Sequence, residues 1–547
     1  MTGLASGRRP VVRGVAAAAL LISVLTVVAR VAGFGRTLVL TNAVPGCVGG
    51  VYTAANTVPN ILFEIIAGGA LAGLVVPMLA GGVAVGDAEQ VRRTASALLG
   101  WTLLVLLPLA AAVMLLATPI ARLILPDTHC ADAVPLAARF LLVFAPQVVL
   151  YGLTVVLAGI LQAHRRFAGP AVAPLLSSVV VAGAYLLYAG LGGRSSAASV
   201  PAGAELALGL GTTLGVAALA LTLVPPLRRL RLGLRPSLRF PVGAAPRVRR
   251  LALAGVLTLA GQQLTAGVAI RLAGDGTAGV TPLVYTAAMT VFLLPWGALA
   301  VPLATSVFPV LSGAAETRDE PGFRGALAPI AVVTVVAAAV AAAVLIAVAG
   351  PLARVFFATS EGTGSATAMR GAIVGFAPGL LGYALLALLT RALYARGLWR
   401  APTACVVGGW ALAIVADVLL SRALPVGDRA LALAAGHSVG VTVAGIGLVI
   451  ATARIAGTGA LAGLARIGLP AVVAAVAGAA AGLGVAALLG ADPLPPGGVL
   501  AAVGTGLVVG AVVLVTAAGV LMVTARRPLL AAVRGLRATG RQEVLGG

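Results

Sequence analysis

Residues 51–81 read VYTAANTVPNILFEIIAGGALAGLVVPMLAG, and the pattern returns at 284–313 as VYTAAMTVFLLPWGALAVPLATSVFPVLSG. Val51, Tyr52, Thr53, Ala54 and Ala55 recur as Val284, Tyr285, Thr286, Ala287 and Ala288, an offset of 233. Both segments close on Pro-x-Leu-x-Gly, Pro77 to Gly81 and Pro309 to Gly313, now offset by 232, as one residue lost inside the helix produces. A third match follows at the same spacing: Leu161, Ala163, Phe167 and Pro170 return as Leu393, Ala395, Trp399 and Pro402. Three matches in order at nearly one period indicate a duplicated unit. The chain reads as two similar halves followed by a tail.

Outward from these segments the text stays apolar. Hydrophobic residues make up 60% of the 547 residues, the mean hydropathy is +1.10, and runs long enough to cross a bilayer recur from end to end. The expectation is an all-α integral membrane protein. Apolar runs punctuated by Gly, Pro and charge predict spans near 14–43, 51–83, 96–123, 132–160, 169–191 and 204–225, then 247–273, 281–313, 322–350, 367–396, 401–421 and 430–455, and finally 465–490 and 497–524. That makes about fourteen transmembrane helices: an N-lobe (1–225), a basic connector (226–248), a C-lobe (249–455), two further spans (456–524) and a basic tail (525–547). Basic residues followed by an apolar core at Met1 to Ala29 resemble a signal peptide, but the apolar run continues past Arg30 to Val44, which favours a retained first span.

The net charge of +22 comes from arginine. It does not indicate a nucleic-acid partner, because the basic residues sit in short loops between spans and no soluble domain carries a groove. Alternate loops are rich in arginine, eight falling between 228 and 250, whereas the intervening loops carry only Arg194, Arg354, Arg422 and Arg429. The positive-inside rule then puts both termini on the cytoplasmic side of a multi-pass cytoplasmic membrane protein. An even number of spans per repeat relates the halves by an axis along the membrane normal, an arrangement that places a transporter's substrate between its lobes. For the connector, with Arg228, Arg229, Arg231, Arg235 and Arg239, two readings stand side by side. One is an amphipathic segment on anionic lipid, worth roughly 1 kcal/mol per arginine; the other is a solvated linker that only enforces topology.

Charges within spans are costly, about 2.5–3.5 kcal/mol for a mid-bilayer arginine, so they mark a cavity or a partner. Arg30 and Arg36 lie on the first span, about 120° apart around the helix. Glu64 on the second span is the candidate counter-charge, either in a structural pair with Arg30 or in a substrate site. Arg139, Arg271 and Arg391 lie near span ends, where they can snorkel. Asp417 in the eleventh span reads either as a proton- or cation-coupling carboxylate or as an interfacial partner of Arg422, and the second is favoured. His437 reads as a packing residue rather than a proton relay. Three cysteines, Cys47, Cys130 and Cys405, lack zinc spacing. Cys47 and Cys130 fall in loops on one side and are read as free thiols or, alternatively, as a bridge. No metal or cofactor is expected. With no catalytic motif and only short outer loops, neither is an enzyme.

The segments ARVAGFGRT (29–37), TVPN (57–60) with AGGALAGLVVPML after it, GILQAHRRFAGPAVAP (159–174) and TRALYARGLWRAP (390–402) resemble the MurJ/MviN family of lipid II flippases, in the multidrug/oligosaccharidyl-lipid/polysaccharide superfamily. The resemblance implies fourteen helices, two six-helix lobes around a cationic hollow, and a groove at the last two helices for a polyprenyl tail. It also implies a polyprenyl-pyrophosphate lipid substrate, membrane lipids as neighbours and cell-wall synthesis proteins as partners. Arg30 and Arg36 match the two arginines of the family's first-helix motif, and Asn56 and Asn60 are expected along the path. Phe63 and Glu64 stand where the family has arginines, Thr290 replaces a cavity arginine, and Gly50 replaces an acidic residue. Arg271 joins the expected binding set. Two other readings use the same charges: a cation- or proton-coupled exporter of another lipid-linked glycan or an amphipathic molecule, using Glu64 and Asp417, and a transport-inactive scaffold of a cell-wall assembly.

Overall fold

A computed structural model describes residues 28–44, 46–65, 75, 78–79, 83, 86–125, 132–164, 166–193, 200–239, 244–274, 279–358, 363–532 and 534. The described residues fall into two compact units, one ending at Gln263 and the other beginning at Leu264. All regular structure among them is helical. In the first unit, α1 (28–43) and α2 (Gly46–Phe63) precede α3 (Ala88–Leu115), α4 (Ala117–Ile124), α5 (Ala133–Ala163), α6 (Ala168–Gly190), α7 (Ala202–Leu221) and the short α8 (Val224–Arg228). α9 (Ala244–Gly274) carries the chain from one unit to the other. The second unit holds α10 (Thr281–Pro295), α11 (Val301–Glu316), α12 (Glu320–Ala347), α13 (Ala349–Phe356), α14 (Thr363–Phe376), α15 (Gly379–Ala395), α16 (Arg400–Ala423) and α17 (Arg429–Ala456), then α18 (Leu464–Leu488) and α19 (Val499–Thr524).

The duplication read from three motifs extends through the helix boundaries. α3 and α12 begin and end 232 residues apart, as do α4 and α13. Each long helix is started by an aspartate whose carboxylate accepts from a first-turn amide: Asp87 from Gln90 N and Asp319 from Gly322 N, both at 2.9 Å. The packed cores use the same positions. Val75, Leu79, Val91, Leu98, Val156 and Leu161 of the first core correspond, 232 residues on, to Val307, Leu311, Phe323, Ile330, Leu388 and Leu393 of the second. Burial of matched positions, with side chains free to change in size, is what two copies of one packing scheme require.

One difference between the copies comes from proline. Pro146 sits inside a continuous α5; its counterpart Pro378 lies at the junction of α14 and α15, which bend by 47°. A proline gives up one backbone donor and crowds the preceding turn. The neighbouring helix repairs the break, since Ser438 Oγ donates to Gly375 O at 2.6 Å and accepts from Gly379 N at 3.2 Å. In the first unit, Thr213 Oγ1 makes the related bonds to Val143 O at 2.8 Å and from Gln147 Nε2 at 3.0 Å.

Among the described residues ten helices are long and apolar enough to cross a membrane, or eleven with the bent pair α14/α15 counted as one span. Of the remaining three predicted spans, 247–273 falls on α9, while 14–43 and 51–83 lie partly outside the described residues, which hold α1 and α2 of them. α18 and α19 pack on α12 and α13 through small and branched residues: Ala343, Ala347, Ala486, Val509 and Val513 form one cluster, with Gly478 and Gly482 allowing close approach to Val513. The other face of α19 presents Leu500, Leu507, Val515 and Val523 outward.

The structure gives partners to charges near span ends. The Arg139 guanidinium grips Glu205 of α7 through Nε and Nη2 at 2.6 and 2.9 Å. Arg391 bonds the Ala387 carbonyl of its own helix at 2.8 Å. Cys47 is disulfide-bonded and so is not a free thiol. Cys405 is free, and Cys130 lies outside the described residues.

Candidate functional site

In the first unit the site grows from α2. Tyr52, fully buried, shares hydrogen bonds with Tyr185 Oη at 2.8 Å and Thr212 Oγ1 at 3.0 Å, and it meets Phe140, Phe144 and Tyr185 edge-on. One turn on, the Asn56 side-chain oxygen is buried without a partner. A further turn brings Asn60, whose Oδ1 accepts from Tyr151 Oη at 3.1 Å; Phe63 packs on the same Tyr151 ring at 4.4 Å. Glu64 is exposed, on a π-helical turn. The matching turn of the second unit, Trp296–Ala300, is also π-helical, and Trp296 packs on Tyr383 at 4.9 Å as Phe63 packs on Tyr151. Such turns widen the helix and re-aim side chains, and they concentrate at functional sites.

Arg36, half-buried on α1, is close enough for its charge to act on Tyr52, Tyr151 and Tyr185. The Glu64 charge also acts on Tyr151. The fold therefore brings Arg36, Asn60 and Glu64 around Tyr151, a residue that reading the sequence missed. Its signal was the spacing Gln147, Tyr151, Thr154, three polar groups on one face of an apolar span. Arg30 is exposed on α1, and among the described residues no ion pair joins it to Glu64, so the structural pairing of those two is not formed.

In the second unit, Thr290 spends its hydroxyl on Thr286 O of its own helix at 3.0 Å. Arg271 lies half-buried in the last turn of α9. The more distinctive group is Asp417 on α16. It is wholly buried, and neither carboxylate oxygen has a hydrogen-bond partner. The expected pairing with Arg422 is thus overturned: Arg422 is exposed near the helix end, whereas Asp417 faces α17, where a methyl added at Gly436 would sit 2.1 Å from Oδ1. Beside Gly436, His437 is buried with Nε2 unpartnered inside a ring of Phe292, Phe376, Tyr383 and Trp410, centroids 5.4–6.1 Å away. The Asp417 charge also reaches Tyr285.

These groups occupy the repeat positions of the first unit's network. Tyr285 corresponds to Tyr52 and Asp417 to Tyr185, while His437 corresponds to Thr212 once Gly211 and Gly436 are matched. A neutral, hydrogen-bonded cluster in one half has become a cluster bearing two ionisable groups in the other. Among the described residues no group of three or more His, Cys, Asp or Glu is placed to hold a metal ion.

Two duplicated helical units with polar clusters buried at matching span positions define a multi-pass membrane transporter. The chain's fold matches a solved lipid II flippase MurJ in an inward closed conformation, with a TM-score of 0.68, 16% identity, and coverage of 90% of this chain and 98% of that one. It also matches an inward-facing multidrug-resistance MATE transporter of the MOP superfamily (TM-score 0.62, 15% identity, 77% and 94% covered) and a Vibrio cholerae MATE transporter (TM-score 0.56, 14% identity, 80% and 97%). At such identities these likenesses speak to the fold. The family model described as "Lipid II flippase MurJ" matches residues 45–490, and the chain belongs to that family.

Proposed function

We propose that this protein moves lipid II, the undecaprenyl-pyrophosphate-linked peptidoglycan precursor, across the cytoplasmic membrane by alternating access. The observation that carries the reading is the family match across residues 45–490. The likeness to MATE transporters is consistent with rocking of two lobes. In this reading fourteen spans form two six-helix lobes plus a C-terminal pair, the termini and the basic connector face the cytoplasm, and cell-wall synthesis proteins are the neighbours. Arg36 and Arg30 hold the pyrophosphate, because a guanidinium donates paired, charge-assisted hydrogen bonds that suit phosphate oxygens. Asn56 and Asn60 line the path, with the free Asn56 Oδ1 an acceptor for sugar or peptide donors. Glu64 adds a carboxylate to the same path. Arg271 and Thr290 complete the set in the C-lobe.

Asp417 is the coupling residue. A buried carboxylate without a partner is costly unless it takes up a cation or proton for part of the cycle, and the two oxygens left free beside His437 and Tyr285 support that role. Complementation tests the function: a cell depleted of its own lipid II flippase survives on this chain, and failure to grow despite membrane expression contradicts the reading.

A further inference from the structure

After α8 the chain lies as a strap along α3. Residues 231–239 run without helical structure and are fastened by backbone groups: Ser237 N donates to Ser96 O at 3.0 Å and Arg235 N to Ser96 Oγ at 3.3 Å, while Trp101 Nε1 donates to Leu238 O at 3.0 Å. Gly100 makes the approach possible, since a Cβ there would lie 2.1 Å from Ser237 O. Left-handed residues Arg231 (φ 50°) and Gly233 (φ 59°) set the path. Side chains then alternate. Leu230, Leu232 and Leu234 pack on the core of the first unit, whereas Arg229, Arg231, Arg235 and Arg239 are exposed and, among the described residues, have no ion pair.

A linker that only sets topology needs the charge, but neither the fastening nor the alternation. Depth is indicated by Trp101, 43% exposed with its indole N–H satisfied, beside Leu104, Val105 and Leu107 that face outward from an apolar helix. Tryptophan with an apolar body and a bonded N–H belongs at the headgroup boundary. We propose that the strap is a docking site for the phosphates of anionic phospholipids in the cytoplasmic leaflet, with four guanidiniums held in a row at headgroup level by α3. The proposal rests on the orientation given above and is independent of the cargo.

Its test is lipid retention by the full chain, exchanged into vesicles of phosphatidylcholine with or without phosphatidylglycerol and read by native mass spectrometry. Phosphatidylglycerol is expected to be retained over phosphatidylcholine, and each Arg→Gln change among R229Q, R231Q, R235Q and R239Q to lower that preference by about five-fold until it vanishes. The fourfold Arg→Lys chain keeps it, which separates charge from misfolding. Gly100→Val, with every arginine present, weakens it by displacing Ser237. Equal retention of both lipids by the parent chain, an unchanged preference in the fourfold Gln chain, or stronger occupancy of these arginines by an added polyprenyl pyrophosphate overturns the proposal.

Discussion

Asp417 stands where Tyr185 stands one repeat earlier, 232 residues before it. Tyr185 shares a 2.8 Å hydrogen bond with Tyr52; neither oxygen of Asp417 has a partner. A duplication that keeps the position and exchanges a satisfied hydroxyl for an unsatisfied carboxylate gives the second half a chemical capacity that the first lacks. Such a group lowers stability, and proteins keep it where function requires it.

Asp417→Asn removes the charge at unchanged shape. Transport by the reconstituted variant is expected to fall at least about ten-fold, the size of one lost coupling interaction of about 1.4 kcal/mol, and to stop responding to an imposed ion gradient, while the melting temperature in detergent does not decrease. A lower melting temperature with gradient dependence intact identifies the carboxylate as structural instead.

The contact between Asp417 and Gly436 can be tested by itself. A Cβ at Gly436 meets Oδ1 at 2.1 Å, so Gly436→Ala is expected to destabilise the protein by about 1–3 kcal/mol through overpacking. Asp417→Ala in the same chain makes room and is expected to restore part of the loss. A double-mutant cycle of thermal midpoints measures that coupling.

How much of this is legible in the sequence differs by feature. Tyr52/Tyr285 reveal the duplication because tyrosine is uncommon here, with seven in the chain, and Pro77/Pro309 because they recur within a longer matched pattern, so coincidence at one spacing is readable. The rest of the repeat, such as Val91 with Phe323 or Asp87 with Asp319, emerges only when burial and capping show which positions do the same work. Arg36 is legible because an arginine within a span is costly. Tyr151 is legible only in part: the polar face of Gln147, Tyr151 and Thr154 is in the text, but that it meets α2 is a matter of helix rotation that local text does not encode. Asp417 is visible as a charge, but proximity to Arg422 along the chain suggests the wrong partner: the helix points the carboxylate at α17 and leaves Arg422 near its end.

Tyr151→Phe deletes the hydrogen bond to Asn60 Oδ1 while the ring against Phe63 is kept. A loss of about 0.5–1.5 kcal/mol in stability is expected for one such bond, with a reduced transport rate if Asn60 must be held in position. Tyr151→Phe and Asn60→Ala are expected to be non-additive in a transport assay, since they break the same contact.

The Arg139 guanidinium is taken up by Glu205 through two hydrogen bonds, and neither residue belongs to the proposed binding set. The two side chains are 50% and 19% exposed, so solvent screens the pair, and Glu205→Gln is expected to cost no more than about 1 kcal/mol in thermal stability. Arg139→Gln is likewise expected to leave lipid II transport near the parent rate, which makes it the control for arginine removal at large.

The proposed role of the cationic first helix is tested most directly by flipping of labelled lipid II in sealed vesicles containing the purified protein. The parent chain is expected to move lipid II to the opposite leaflet, and Arg36→Ala to lose at least about ten-fold of that rate, the value of one charge-assisted phosphate contact of about 1.5–3 kcal/mol. Vesicles in which the parent moves no lipid II, or in which Arg36→Ala moves it as fast as the parent, contradict the assignment.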